Sequence, residues 1–219
     1  MTEPNHIMYY PASEHPLIPS VGTGFGWAPD SLALPRLVVI VGQNGAGKST
    51  LMRGVVSAVC ASGFGPVENI NYRGDLDGYE TAAEIREALA DPGIQVIKIE
   101  GVDWGLHMTA QYELMRDIMA ALEARPELWV VCTCYSPFAL ERVPAESVFV
   151  VARAPDGVRH AKPLTACPDF ARWSRGLTTG EVWATVGENW VFASPPASEG
   201  AEDGDQNNDK AEQAEGEGR

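Results

Sequence analysis

Residues 37–57 read LVVIVGQNGAGKSTLMRGVVS. Leu37, Val38, Val39, Ile40 and Val41 form an unbroken, largely β-branched apolar run, the composition of a parallel strand buried on both faces. The run stops at Gly42-x-x-x-x-Gly47-Lys48-Ser49, the spacing of a loop that cradles phosphate. Gly42, Gly45 and Gly47 permit backbone angles that a Cβ blocks. Successive N–H groups of the loop, with Asn44 and Ala46 between the glycines, can therefore converge on a polyphosphate. Lys48 adds a point charge for the outer phosphates and the Ser49 hydroxyl is a Mg²⁺ ligand. Thr50 leads on into a helix whose positive dipole end faces the anion. Leu51, Val55, Val56 and Val59 continue as a helical stripe that stops at Ser62-Gly63. A structural turn accounts for the glycines alone. Strand, loop, Lys-Ser and helix in this order predict a site for Mg-ATP.

The rest of the chain supplies strands to flank this unit. Residues 64–78 are turn-rich, and residues 81–90 read as a helix closed by Asp91-Pro92-Gly93. A second buried strand over 94–99 ends in Glu100. An acid at the carboxyl end of a parallel strand, in the crevice outside the strand ends, is placed to share Mg²⁺ with Ser49. Residues 111–125 form a helix with Leu114, Ile118 and Leu122 on one face, and residues 127–133 a third strand. A fourth strand spans 147–152, and Ala154-Pro155-Asp156-Gly157 turns it into 158–163. Residues 170–190 carry Trp173, Leu177, Val182, Trp183, Val186 and Trp190 at helix-compatible spacing, a small helical cap. The expected class is α/β: a P-loop NTPase fold, with a mostly parallel sheet flanked by helices and a small C-terminal helical segment.

At 219 residues and 45% hydrophobic content, the chain suits one ATPase domain over 1–193. Residues 194–219 hold eight acids against Lys210 and Arg219 with no apolar anchor, the composition of a disordered acidic tail. The net charge of −14 argues against DNA binding by this chain on its own. Cys60, Cys132, Cys134 and Cys167 show neither CxxC spacing nor scaffold density and read as reduced thiols. No apolar run approaches the ~20 residues that cross a bilayer, and the first residues lack a signal pattern, so a soluble cytoplasmic protein is expected. Residues 1–36, rich in Pro, Gly and Ser, are expected to wrap the sheet edge. Phe25 or Trp27 either stacks on adenine or covers the core.

The chain resembles the ATP-binding-cassette-like AAA ATPases of the overcoming-lysogenization-defect and recombination-factor kind, over roughly residues 36–191. Gly-Gln-Asn-Gly-Ala-Gly-Lys-Ser-Thr is similar to that group's form of the loop. Glu100-Gly101-Val102-Asp103-Trp104-Gly105-Leu106-His107 is similar to its acidic motif leading into Leu-His-Pro. Cys134-Tyr135-Ser136-Pro137-Phe138 resembles its Thr-His-Ser-Pro switch. Leu177-Thr178-Thr179-Gly180-Glu181 and Gly187-Glu188-Asn189-Trp190 resemble the C-terminal segment of its short members.

The resemblance implies ATP and Mg²⁺ as cofactors, and Glu100 in the metal-coordinating place. It also implies nucleotide-dependent homodimers, with Gly78 and His107 facing the other subunit's nucleotide, or a separate effector or nuclease subunit. Three departures touch the chemistry. Gly101 falls where the group carries its catalytic Glu, Tyr135 replaces the switch His, and Met108 replaces the Pro. Leu76-Asp77-Gly78-Tyr79 is the only stretch at the distance of a signature loop. A lost general base typically costs about 10²–10⁴ in rate, so slow hydrolysis and none are both compatible. Asp103, Tyr135 and His107 are the remaining candidates to orient water, with Thr133 and Ser136 as alternative polar sensors. For His107, a contact across a dimer or a helix-start residue is the favoured reading over a base. A non-hydrolysing ATP-binding module is the competing function. A small-molecule kinase ranks last, because Arg142, Arg153, Arg159, Arg172 and Arg175 do not gather into a lid.

Overall fold

The structure, a computed structural model, describes residues 17–18, 32–71 and 77–192. The expectations for Phe25, Trp27, Leu76 and the acidic tail fall outside these residues. A two-stranded antiparallel ribbon of β1 (Leu17–Ile18) and β2 (Leu32–Ala33) precedes the main sheet. The apolar run then forms β3 (Leu37–Val41), buried along its whole length. Its side chains divide between two cores: Leu37, Val39 and Val41 enter one, and Val38 and Ile40 the other. Burial on both faces is why the sequence here is continuously apolar rather than alternating.

Helix α1 (Lys48–Ala61) follows the glycine loop and buries Leu51, Met52, Val55 and Val59. Met52 takes the buried place expected of Val56, which is only half-buried. Strand β4 (Val67–Asn71) corrects the expectation of turns over 64–78. It is an edge strand with Ile70 as its one buried residue, so no two-residue apolar period marks it. Helix α2 (Gly78–Ala90) starts three residues ahead of the expected Thr81. Asp77 accepts from the backbone N–H groups of Tyr79 and Glu80, and the Glu80 side chain accepts from the Asp77 N–H. That reciprocal cap fixes the first turn.

Strand β5 (Val96–Glu100), helix α3 (Met108–Ala124), strand β6 (Trp129–Thr133) and strand β7 (Val148–Arg153) follow. The strands lie within two residues of their sequence expectations, whereas α3 begins a turn early because His107 caps it. Strand β8 (Arg159–Pro163) returns antiparallel along β7. Helices α4 (Phe170–Trp173) and α5 (Thr179–Val186) and the 3₁₀ turn Asn189–Val191 complete the expected C-terminal helical segment.

The sheet order is β4-β5-β6-β3-β7-β8, parallel throughout except for β8. Helix α1 packs on one face with Val38, Ile40 and Val131. Helices α2, α3 and α5 share the other core with Val39, Val41 and Val150. The parallel strands all end at one edge, so the turns after β3, β5 and β6 open side by side. No described helix is long and apolar enough to cross a membrane.

Helix α5 is locked to the turn Pro137–Leu140, where a Cβ on Gly180 would stand 2.0 Å from the Pro137 carbonyl oxygen. Backbone cannot yield as a flexible side chain can. Gly180→Ala is expected to lower unfolding free energy by about 1–3 kcal/mol, read as a lower urea midpoint with unchanged slope.

Candidate functional site

Gly42, Gly45 and Gly47 hold φ values of 138°, 78° and 110°, in the region that glycine alone enters freely. The loop they form leads into α1, whose N-terminus has no side-chain cap and no acid in its first turn. A helix start without a side-chain cap, together with the dipole, favours an anion at this end. Lys48 lies beneath the loop, only 5% exposed. Its Nζ donates to the carbonyl oxygens of Gly42 at 2.7 Å and Gln43 at 2.9 Å, and sits 4.0 Å from the centroid of the Tyr135 ring. Burial lowers the Lys48 pKa, and the nearby Glu188, Asp103 and Glu100 carboxylates oppose that shift.

Ser49 and Glu100 meet directly, with the Ser49 hydroxyl donating to Glu100 Oε1. The two residues come from the start of α1 and the carboxyl end of β5, so the meeting is tertiary. Both offer oxygen, and among the described residues no group of three or more His, Cys, Asp or Glu forms a metal cage. One hydroxyl and one carboxylate suit Mg²⁺, which keeps several waters and takes its other ligands from phosphate oxygens. The residues fit that ion.

Asp103 is buried in the turn after β5, and both its carboxylate oxygens accept from the Tyr135 backbone N–H at 3.1 Å. Burial raises its pKa, and the Tyr135 N–H only partly offsets this. The Gln111 side chain fixes the same turn by donating to the carbonyls of Asp103 at 3.3 Å and Leu106 at 2.9 Å. Gly101 has φ 73° and donates its N–H to Thr133 Oγ1 at 2.8 Å. A Glu there would carry roughly 1–2 kcal/mol of left-handed strain, a backbone reason for glycine at this position. Thr133 is thus occupied in holding the Gly101 N–H.

Lys48, Tyr135 and Asp103 form one connected set beside the Ser49–Glu100 pair. His107 stands outside it as the exposed N-cap of α3, its Nδ1 accepting the Thr109 N–H at 3.4 Å. Its helix-start reading is the one the geometry favours. Gly78 abuts the same turn: a Cβ there would lie 2.5 Å from the Gly105 carbonyl carbon. Cys132 and Cys134 are buried, and burial pushes both thiols up.

Sequence reasoning gave no role to Gln43 or Glu188. Gln43 Nε2 donates to Glu188 Oε2 at 3.2 Å, which brings the segment after α5 against the glycine loop. A cavity of about 260 Å³ lies between them, lined by Gln43, Asn44, Arg153, Glu188, Asn189 and Phe192 among others. The signal in the sequence is Gly187-Glu188-Asn189-Trp190, a polar turn that follows the last helical stripe. No protein-family model and no curated protein matches the chain.

Asp103→Ala leaves the Tyr135 N–H without its acceptor and is expected to cost about 1–3 kcal/mol. Asp103→Asn keeps an acceptor oxygen and is expected to fold with little loss. Because the folded pKa of Asp103 is raised, the acid's contribution is fully present below about pH 4. It is lost as pH rises through the folded value. Denaturation of wild type and Asp103→Asn across pH 3 to 8 reads this as a stability difference that moves steadily in favour of Asn on going up in pH.

Proposed function

We propose that the chain is a P-loop ATPase that binds Mg-ATP at the carboxyl ends of β3, β5 and β6 and hydrolyses it slowly. The observation that carries this reading is the contact between Ser49 and Glu100 beside a buried Lys48. Residues 51 positions apart meet at the mouth of a glycine loop, with the donor types that a metal-bound triphosphate requires. The strand order supports it as well. The loop strand β3 is central, and the acid-bearing β5 is its next neighbour but one across β6.

In this reading the loop amides and Lys48 hold the outer phosphates, while Ser49 and Glu100 hold Mg²⁺. When bound, the ion neutralises charge developing on the phosphate oxygens. Asp103 is the group we assign to orient the attacking water, because its raised pKa moves a carboxylate toward the working range of a general base. Tyr135 is less suited: burial, reinforced by Glu100 and Asp103, raises its hydroxyl further. Its ring instead covers Lys48.

Nucleotide state is proposed to control docking, with a second copy as the first candidate and a separate effector or nuclease subunit as the other. Tyr79, Trp104, Met108, Tyr135 and Phe138 are the exposed large hydrophobics among the described residues. All five follow the carboxyl ends of β4, β5 and β6, at the same edge as the phosphate loop. Apolar side chains gathered at one edge mark an interaction surface. The acidic balance of the chain disfavours DNA as its direct ligand. The second reading, an ATP-binding module that does not turn over, is favoured by Gly101, whose backbone excludes an unstrained Glu.

Phosphate release from Mg-ATP is expected in the wild type and absent in Lys48→Ala. Asp103→Asn should lower turnover by about 10²–10⁴ while Mg-ATP still binds in calorimetry. Binding without release in the wild type would leave the non-hydrolysing module. Light scattering in saturating Mg-ATP is expected to give a dimer mass that returns to monomer with Trp104→Ser.

A further inference from the structure

We infer that the cavity between the glycine loop and the segment after α5 is a nucleoside pocket, in which Phe192 stacks on a base and Glu188 accepts from sugar hydroxyls. The inference rests on the phosphate-site reading and deepens it by assigning the rest of the ligand. It lies on the β7 side of the loop, whereas the exposed apolar side chains follow β4, β5 and β6.

The wall is part of the folded core. Val191 is fully buried, and Trp190 Nε1 donates to the Gly187 carbonyl at 2.9 Å, pinning the turn that carries Glu188 and Asn189. Phe192 is backed by His160, ring centroids 6.4 Å apart. The cavity of about 260 Å³ is near the lower bound of small-molecule pockets, roughly 300 Å³. That size suits a base and sugar, with the phosphates outside on the loop.

The lining chemistry points the same way. Glu188 stands where the loop meets the cavity, close enough to Lys48 to favour its charge and bonded to Gln43. A carboxylate accepts only, which matches the paired hydroxyls of a ribose. Gln43 holds Glu188 from the loop itself, so sugar and phosphate positions are set by one hydrogen-bonded unit. Asn189 offers a donor and an acceptor to a base edge. Phe192 supplies an aromatic face, which accepts any base and gains most from a purine.

Calorimetry with Mg-ATP and with magnesium tripolyphosphate separates the pocket from the loop. Wild type is expected to prefer ATP. Phe192→Ala should cut that preference about tenfold with tripolyphosphate affinity unchanged. Glu188→Gln, which keeps a partner for Gln43, should weaken ATP and leave tripolyphosphate equal or tighter. If Phe192→Ala loses tripolyphosphate binding too, Phe192→Leu, which preserves apolar volume, replaces it with the same expected loss of preference. Equal affinity of wild type for both ligands overturns the inference while the phosphate site stands. So does a preference that survives Phe192→Leu and Glu188→Gln but disappears in Trp27→Ala. Failure of wild type to bind either ligand overturns the phosphate-site reading and the pocket together.

Discussion

A Cβ on Gly42 would stand 2.2 Å from the carbonyl oxygen of Val151, and this close approach governs how the loop leaves the sheet. Strands β3 and β7 pair in parallel up to Val41 opposite Val150. One residue later the chain must turn away across the backbone of its neighbour, and only a residue without a side chain passes. The turn takes the chain over the end of the sheet, where α1 begins at Lys48 and brings Ser49 to Glu100. Interiors pack at crystal-like density and do not absorb such an overlap. The loop, the buried lysine and the Ser49–Glu100 contact all descend from that crossing.

The electrostatics of the site follow from where this leaves Lys48. A buried ammonium is costly unless partnered. Two carbonyl oxygens and an aromatic face meet it, with Glu188, Asp103 and Glu100 close enough to favour its charged form. Asp103 bears the converse penalty, as burial works against its charge. Among the described residues, no acid forms a direct salt bridge with Lys48. An arriving anion finds a cation whose present partners are mostly neutral.

How much of this was legible depended on how local the cause was. The strand, loop and first helix are set by neighbours in sequence, and each appears where residues 37–57 place it. Glu100 was legible because the end of a buried strand is a topologically special point. Strand β4 was not, since an edge strand with one buried residue leaves no apolar period, and its pairing with β5 decides it. The early start of α2 lies in a capping box, Asp77 with Glu80, a local signal that sits ahead of the apolar period. The Asp103–Tyr135 contact and the approach of Glu188 to Gln43 join residues 32 and 145 positions apart. No periodicity or spacing rule reaches across such distances.

The seat of Gly78 against Gly105 carries a mechanical consequence. Backbone touches backbone there with no side chain between, so the joint is stiff and short. One side of it is the first turn of α2, clamped by Asp77 and Glu80. The other is the four-residue bend that begins at Asp103, braced by Gln111. The first turn of α2 and the bend at Asp103 are thus joined through backbone, with no rotatable side chain at the point of contact.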